Sequence, residues 1–260
     1  MFKKLLSFVL LIVAVLAVSG CNQQQSSDDA LDKIILRDKI IIGTKFDAKP
    51  FGYMDENQEL KGFEIDLGKM LAKHLLGDET KVEFKQVLSS NRILALSSGE
   101  VDILIATVSI TPQREKVIDF SKPYFTTGMA ILTEKNSDIK SVIDLNNRPI
   151  ILVLGTTGEK EIRTLAPEAK LFGFRTYTDG YSALKTGRGE AMITDKSILM
   201  GIAMNDPNYK LLPQTYTVEN YGIGMKRGAE SEALKKEVDT FLDKIQLNGE
   251  LKKLMSKWGV

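Results

Sequence analysis

Polar residues of opposite charge follow two segments that are typical of buried strands. In the first half of the chain, the apolar residues 101–106 are followed by Thr107, Ser109 and Arg114. In the second half, a similar apolar segment ends at Asp195. A guanidinium beside the free N–H groups of a helix N-terminus binds a carboxylate, and a carboxylate binds an ammonium group. Together these residue types predict a site for the zwitterionic backbone of a free α-amino acid.

The turn formed by residues 155–158, with the sequence Gly-Thr-Thr-Gly, adds further hydrogen-bond donors. It follows an apolar strand and precedes a predicted helix, so the N–H groups and hydroxyls near Thr157 and Gly158 can face an anion. No Lys-Ser/Thr pair follows the glycine in register, which excludes the phosphate-binding loop of nucleoside triphosphatases.

Two of these residues also have a purely structural interpretation. Arg114 could be a solvated side chain on a helix that Thr111 caps and Pro112 begins. Asp195 could cap the helix predicted to begin at Lys196. The sequence leaves both alternatives open.

Short apolar segments alternate with helical patterns from residue 39 onward. Apolar residues at helical spacing predict a helix over residues 63–74. Further strands are predicted at 40–42, 82–87, 101–106, 150–154, 171–174 and 191–193, and further helices at 92–96, 181–185, from 158 and from 196. This alternation predicts parallel sheets covered by helices, which is an α/β fold.

One internal similarity predicts two lobes. Segments 95–107 and 183–195 align without a gap, and each ends a helix, passes a glycine and enters an apolar strand. The alignment places Thr107 and Asp195 at equivalent strand ends. Because open α/β sheets bind ligands just outside the carboxyl ends of their strands, two facing lobes would bring these residues into one cleft.

The overall composition excludes several classes of partner and chemistry. The chain has 35 basic and 34 acidic residues, so no net field would attract nucleic acid or an anionic membrane. The one histidine, His74, lies on the apolar face of a predicted helix. No Ser/His/Asp set and no His/Cys cluster with metal-ligand spacing is present, so we expect no catalytic residue, cofactor or metal.

The N-terminus is typical of a secreted lipoprotein. Two lysines precede the apolar residues 5–18, a length that suits a signal peptide and is short for a membrane span. The only cysteine, Cys21, ends a Val-Ser-Gly-Cys sequence that resembles a bacterial lipobox. We expect residues 1–20 to be removed, Cys21 to carry lipid, and residues 21–34 to form a flexible tether to the membrane.

The chain from about residue 39 to 258 resembles the extracellular solute-binding proteins of polar amino-acid ABC transporters, family 3. The resemblance is carried by the segments GTKFDAKPFGYMD (43–55), KGFEIDL (61–67), SITPQREKVIDFSKPYF (109–125), GTTGEKE (155–161), TDKSIL (194–199) and YGIGMKRG (221–228). It implies the type II periplasmic-binding-protein fold, in which two lobes flank a cleft and a two-strand hinge. The implied boundaries are 35–126 with 218–260 for lobe 1, and 127–217 for lobe 2.

The resemblance also implies how a ligand would be held. Arg114 would bind the α-carboxylate, assisted by Ser109, by the backbone of Thr107 and by the turn at Thr157 and Gly158. Asp195 would bind the α-ammonium group. Tyr177 falls where relatives place an aromatic residue at the edge of the cleft, although it could equally be a surface side chain.

Charge counting predicts an acidic ligand. Lys45 and Arg92 lie at strand-to-helix ends on the expected cleft side, and similar residues with Ser89 surround the side-chain carboxylate in relatives that bind glutamate or aspartate. Three cations against the single anion Asp195 leave positive charge for a second carboxylate. Relatives that bind glutamine tend to have an aromatic residue near Ser89 and an acidic residue near Lys45, and neither is evident. We therefore expect glutamate or aspartate, with glutamine or another polar amino acid as the alternative.

The remaining expectations concern function class and partners. We expect a monomer that is not an enzyme, that sits outside the cytoplasmic membrane on its lipid anchor, and that passes its amino acid to the transmembrane permease of an ABC importer. The main alternative is an enzyme like the cyclohexadienyl or arogenate dehydratases, which share this fold but need a general acid or base. A sensor module of the same fold is a further alternative, but it would need additional domains.

Overall fold

The computed structural model describes residues 29–204 and 206–260. The expected signal peptide, Cys21 and most of the expected tether lie outside these residues. The helices are α1 (Ala30–Arg37), α2 (Phe63–Leu76), α3 (Arg92–Ser97), α4 (Gly158–Leu165), α5 (Tyr177–Lys185), α6 (Lys196–Ala203), α7 (Glu232–Leu247) and α8 (Glu250–Trp258). The strands are β1 (Ile40–Thr44), β2 (Asp47–Ala48), β3 (Gly52–Met54), β4 (Leu60–Lys61), β5 (Val82–Gln86), β6 (Ile103–Leu104), β7 (Ile118–Thr127), β8 (Met129–Glu134), β9 (Pro149–Val153), β10 (Lys170–Phe174), β11 (Ala191–Asp195), β12 (Tyr209–Leu211) and β13 (Glu219–Lys226).

Two five-stranded sheets form the centres of two lobes. The first has the strand order β5-β1-β6-β13-β7 and the second has the order β10-β9-β11-β8-β12. Strands β2, β3 and β4 form a small separate sheet. Thus the predicted two-lobed α/β fold is confirmed, and the helices lie on both faces of the sheets.

The two sheets have the same plan, as the internal similarity predicts. Strand β6 is central in the first sheet, parallel to β1 and antiparallel to β13. Strand β11 is central in the second sheet, parallel to β9 and antiparallel to β8. The polar residues that follow these two strands therefore occupy equivalent places in the two lobes.

The sheets are mixed rather than purely parallel. Strands β13 and β7 pair antiparallel at one side of the first sheet, and β8 and β12 do so in the second. The reason is that β7 and β13 belong to the segments that join the lobes, with the chain leaving the first sheet at Gly128 and re-entering it at Glu219. On this basis we propose lobe 1 as residues 35–126 with 218–260, and lobe 2 as residues 127–217.

The central strands are buried on both faces. Along β9, Ile151 and Val153 enter one apolar cluster, whereas Ile150 and Leu152 enter another. This alternation is what a pleated strand covered by helices on both sides requires.

The N-terminal part of the described chain is ordered into a helix. Residues 30–34, which we assigned from the sequence to the tether, form the beginning of α1. The Asp29 carboxylate caps this helix by accepting the N–H of Leu31 at 2.8 Å. Ile34 is fully buried in the main core, and that burial explains why the segment folds onto the first lobe.

Within the described ranges, 29–204 and 206–260, no helix combines the length and the apolar character needed to cross a bilayer.

A cleft between the two lobes

Thr107 lies just after β6 in a left-handed backbone conformation, with φ of 48°. Its N–H donates to Glu64 Oε1 at 2.7 Å, and Arg92 Nη1 donates to its carbonyl at 3.1 Å. A non-glycine residue in this conformation costs on the order of 1 kcal/mol or more, so it needs compensating contacts. Buried Glu64 and Arg92 supply these contacts and fix the strand end.

Arg114 projects into the cleft. Its Nη1 donates to Ser109 O at 2.8 Å, and its Nη2 donates to Gly155 O of the other lobe at 3.0 Å. Burial, followed by the nearby Arg92, lowers the pKa of Arg114 to about 10, so the guanidinium stays charged at neutral pH. The alternative of a solvated arginine is therefore wrong.

The helix predicted at Thr111 is a single 3₁₀ turn. Thr111 Oγ1 accepts the N–H of Arg114 at 3.2 Å, as a capping residue does. The turn covers only Arg114–Lys116 because β7 begins at Ile118. The expected geometry around Arg114 is thus kept by one turn instead of a full helix.

Asp195 ends β11 and is buried. Its side chain makes no capping hydrogen bond to α6, so the structural alternative for this residue is not supported. It accepts instead from the hydroxyl of Tyr221, whose ring packs 5.6 Å from that of Phe51 and 5.8 Å from that of Phe125. Burial, with the nearby Glu219, raises the pKa of Asp195 to about 7.

Glu219 is a cleft residue that the sequence did not reveal. Its Oε2 accepts from Ser109 Oγ at 2.5 Å and from Thr157 Oγ1 at 2.7 Å, and these donors belong to different lobes. Its Oε1 accepts from Thr217 Oγ1 at 3.1 Å. Glu219 is 110 residues from Ser109, and only the bridge between Ser109 and Tyr221 brings them together.

Lys45 forms a second charged cluster with Asp47 and Tyr177. Lys45 Nζ lies 3.1 Å from Asp47 Oδ1 and 5.3 Å from the centre of the Tyr177 ring. The N–H of Tyr177, at the start of α5, donates to Asp47 Oδ2 at 2.7 Å across the lobes. Burial lowers the pKa of Lys45, and Asp47 opposes this effect. Tyr177 is fully buried, so it is not a surface aromatic.

The expected excess of positive charge is wrong. Lys45, Arg92 and Arg114 are accompanied by four buried or nearly buried acids, Asp47, Glu64, Asp195 and Glu219. Asp47 is also the acidic residue near Lys45 that seemed to be missing. The count from the sequence failed because Glu64 looked like an ordinary first-turn helix residue and Glu219 like the start of a surface strand.

Arg92 does not present its guanidinium freely to the cleft. Its Nη1 donates to Ala106 O at 2.6 Å as well as to Thr107, and its Nη2 lies 3.5 Å from Gly155 O. In the described residues only its Nε lacks a partner. Arg92 therefore ties the backbone of one lobe to that of the other.

The lobes meet closely at Gly155 and Ser89. Gly155 has φ of 82°, and a Cβ added there would lie 2.5 Å from Ser89 O and 2.5 Å from Ser90 Cα. Thr157 and Gly158 follow directly, and Gly158 begins α4. The N–H groups of the first turn of α4 have no intrahelical acceptor, so they can serve an anion in the cleft.

Buried polar atoms without a hydrogen-bond partner gather around this cleft. In the part of the chain that the structure describes, they are Thr44 Oγ1, Lys45 Nζ, Asp47 Oδ1, Glu64 Oε2, Ser89 Oγ, Arg92 Nε, Thr107 Oγ1 and Thr194 Oγ1, with His74 Nε2 and Ser231 Oγ elsewhere. Buried polar groups are almost always paired, so such a concentration marks a place built for a polar ligand. It includes both donors and acceptors.

The whole chain can now be compared with known proteins. A family model described as "Bacterial extracellular solute-binding proteins, family 3" matches residues 40–260. The chain is 39% identical to the ABC transporter glutamine-binding protein GlnH of Bacillus subtilis (strain 168), over 98% of this chain and 97% of that protein. It is 40% identical to a glutamine-binding protein of Geobacillus stearothermophilus, over 82% of this chain and 88% of that protein.

A solved structure supports the same assignment. The structure of an ancestral arginine-binding protein bound to glutamine superposes with a TM-score of 0.80 at 36% identity, covering 85% of this chain and 98% of that chain. The relatives are solute-binding proteins rather than enzymes, so the dehydratase alternative is not supported. The chain belongs to the bacterial extracellular solute-binding proteins of family 3, and it is a binding protein, not an enzyme.

Proposed function

We propose that this protein is the extracytoplasmic binding component of an amino-acid ABC importer and that its ligand is free glutamine. The glutamate or aspartate expected from the sequence becomes the alternative. The observation that carries the proposal is the cluster of partnerless donors and acceptors in the cleft, of which Lys45 Nζ and Asp47 Oδ1 lie 3.1 Å apart.

The backbone of the ligand would be held between the lobes. Arg114 and the N-terminus of α4 offer positive charge and N–H donors to the α-carboxylate. Asp195 offers a carboxylate to the α-ammonium. Because these groups belong to different lobes, a ligand would bind both only when the cleft is closed, which is how a ligand stabilises one conformation over another.

The side-chain end of the cleft supports an amide better than a carboxylate. A carboxamide needs one donor for its oxygen and one acceptor for its NH₂ group, and Lys45 Nζ with Asp47 Oδ1 provides that pair. A second ligand carboxylate would meet Asp47 and Glu64 as well as Lys45. Leaving such like charges buried together costs several kcal/mol or so.

The names of two relatives support glutamine independently of this charge argument. Both the Bacillus subtilis and the Geobacillus stearothermophilus proteins are glutamine-binding by name. Isothermal titration of the ligand-free protein with glutamine, glutamate, aspartate and asparagine tests the proposal. Tightest binding of glutamine supports it, and tighter binding of either dicarboxylic amino acid contradicts it.

We further propose that Cys21 anchors a monomer to the membrane and that the closed form is read by a transmembrane permease. The chemistry that supports the anchor is the position of the single cysteine after small residues and an apolar segment. Labelling cells with a radioactive fatty acid tests it. Label on the wild-type protein and none on Cys21→Ser is expected, whereas equal label on both would contradict the anchor.

A further inference from the structure

Two hydroxyls that face each other across the cleft donate to one acidic side chain. Ser109 Oγ and Thr157 Oγ1 both donate to Glu219 Oε2, at 2.5 and 2.7 Å. Ser109 and Glu219 are buried. An ionised carboxylate can only accept hydrogen bonds, and each hydroxyl has a single proton to give. The two protons are therefore committed to Glu219.

This commitment decides what the hydroxyls can offer to a ligand. Once its proton points at Glu219, a hydroxyl oxygen presents only lone pairs in other directions. Such an oxygen can accept from an ammonium group but cannot donate to a carboxylate. Ser109 is paired in the sheet with Tyr221, whose hydroxyl donates to Asp195, so Ser109 Oγ belongs to the same side of the cleft as that aspartate.

We infer that Glu219 is a positioning residue that fixes Ser109 and Thr157 as acceptors for the α-ammonium group of the ligand. This inference rests on the proposed function. It differs from the role implied by family resemblance, in which these two residues serve the carboxylate. The carboxylate is then left to Arg114 and to the N–H groups of α4, while the ammonium gains hydroxyl oxygens in addition to Asp195.

The conservative variant separates orientation from charge. In Glu219→Gln, the amide oxygen can take the place of Oε2 and accept both hydroxyl protons, with the NH₂ group turned toward Thr217. In Glu219→Met, a side chain of similar length offers no acceptor, and the hydroxyls are free to turn. If orientation matters, glutamine should bind Glu219→Gln nearly as well as wild type and Glu219→Met much less well.

A ligand without the ammonium group supplies the second readout. Glutaramate is glutamine that lacks the α-amino group, so it does not use the proposed acceptors. We expect Glu219→Met to weaken glutamine binding by at least about tenfold and to change glutaramate binding by less than about threefold. Glu115→Met, a change of the same kind on an exposed side chain of the same lobe, is the control and should leave both affinities as in wild type.

The test is calorimetric titration of wild type, Glu219→Met, Glu219→Gln and Glu115→Met with both ligands. Equal loss of both ligands in Glu219→Met, or a Glu219→Gln as weak as Glu219→Met, would overturn the inference while leaving the proposed function intact. A wild-type protein that binds no amino acid would overturn the proposed function and the inference with it.

A variant of the hydroxyl itself covers the case in which Glu219→Met does not fold. Ser109→Ala removes one proposed acceptor and leaves Glu219 in contact with Thr157. Loss of glutamine affinity with glutaramate affinity kept would support the inference, and an unchanged ratio of the two affinities would overturn it.

Discussion

The N–H of Tyr177 donates to Asp47 Oδ2 at 2.7 Å, which joins the start of α5 in one lobe to β2 in the other. The other oxygen of the same carboxylate faces Lys45 at 3.1 Å. Asp47 therefore both neutralises the lysine and takes part in closing the cleft. This one residue changes the expected ligand from an acid to an amide.

The preference for an amide should depend on Asp47. Asp47→Asn keeps an oxygen for the N–H of Tyr177 but removes the negative charge beside Lys45. We expect the ratio of glutamate affinity to glutamine affinity to rise about tenfold, because Lys45 can then pair with a ligand carboxylate. Calorimetry with both ligands measures the ratio.

The control is Asp179→Asn, the same change at an exposed position in the first turn of α5. It should leave the ratio as in wild type. A ratio that does not move in Asp47→Asn would mean that Asp47 plays no part in choosing the ligand.

Closure of the lobes should require a glycine at residue 155. In Gly155→Ala, the added methyl group would meet Ser89 O and Ser90 Cα at 2.5 Å, so the closed form is disfavoured. We expect at least a tenfold loss of glutamine affinity and a larger radius of gyration in the presence of ligand, measured by calorimetry and small-angle X-ray scattering.

Gly187→Ala separates collision from backbone strain. Gly187 has φ of 72°, and an added Cβ there meets nothing within 4 Å. It should lower the free energy of unfolding by about 1 kcal/mol, as a left-handed alanine does, and leave the affinity unchanged. Similar losses of affinity in both variants would contradict the collision argument.

Binding should weaken below neutral pH because of Asp195. Burial and Glu219 raise its pKa to about 7, whereas Tyr221, Arg92 and Arg114 act in the opposite direction. The ammonium group needs the ionised form, so protonation competes with the ligand. From about pH 8 to about pH 5.5, the dissociation constant for glutamine should rise about 30-fold if this group alone controls binding.

Glu64 has a pKa of about 7 as well, also raised mainly by burial, so a control is needed. Glu64→Gln should keep the pH dependence that Asp195 causes. A flat affinity across this range in the wild type would show that Asp195 is not the group that binds the ammonium.

The hydroxyl of Tyr221 should set where that transition occurs. It donates to Asp195 and lowers the pKa of that carboxyl, against the effect of burial. Tyr221→Phe removes the donor, so the pH midpoint of binding should move upward from its wild-type value. Titration across the same pH range measures the midpoint, and a shift to lower pH would contradict this assignment.

The fold and part of the cleft could be predicted from local sequence. The alternation of apolar strands and helices gave two α/β lobes, and the similarity of segments 95–107 and 183–195 placed Thr107 and Asp195 at equivalent strand ends. These inferences succeeded because strand ends are local features. The sequence cannot show which distant segments later meet at those ends.

The acids that balance the cleft were missed for this reason. Glu219 meets Ser109 only through pairing of segments 110 residues apart. Asp47 could have been found, since residues two apart in an extended segment point to the same side, which places Asp47 beside Lys45. Glu64 is hidden by its position in the first turn of α2, where acidic residues are common on solvated faces.

The most direct test of the central claim is a titration of the purified, ligand-free wild-type protein with glutamine and with glutamate in the same buffer near neutral pH. If Asp47, Glu64, Asp195 and Glu219 balance the three cations, glutamine binds more tightly than glutamate. Tighter binding of glutamate would mean that the cleft keeps an uncompensated positive charge, and it would contradict the charge balance described above.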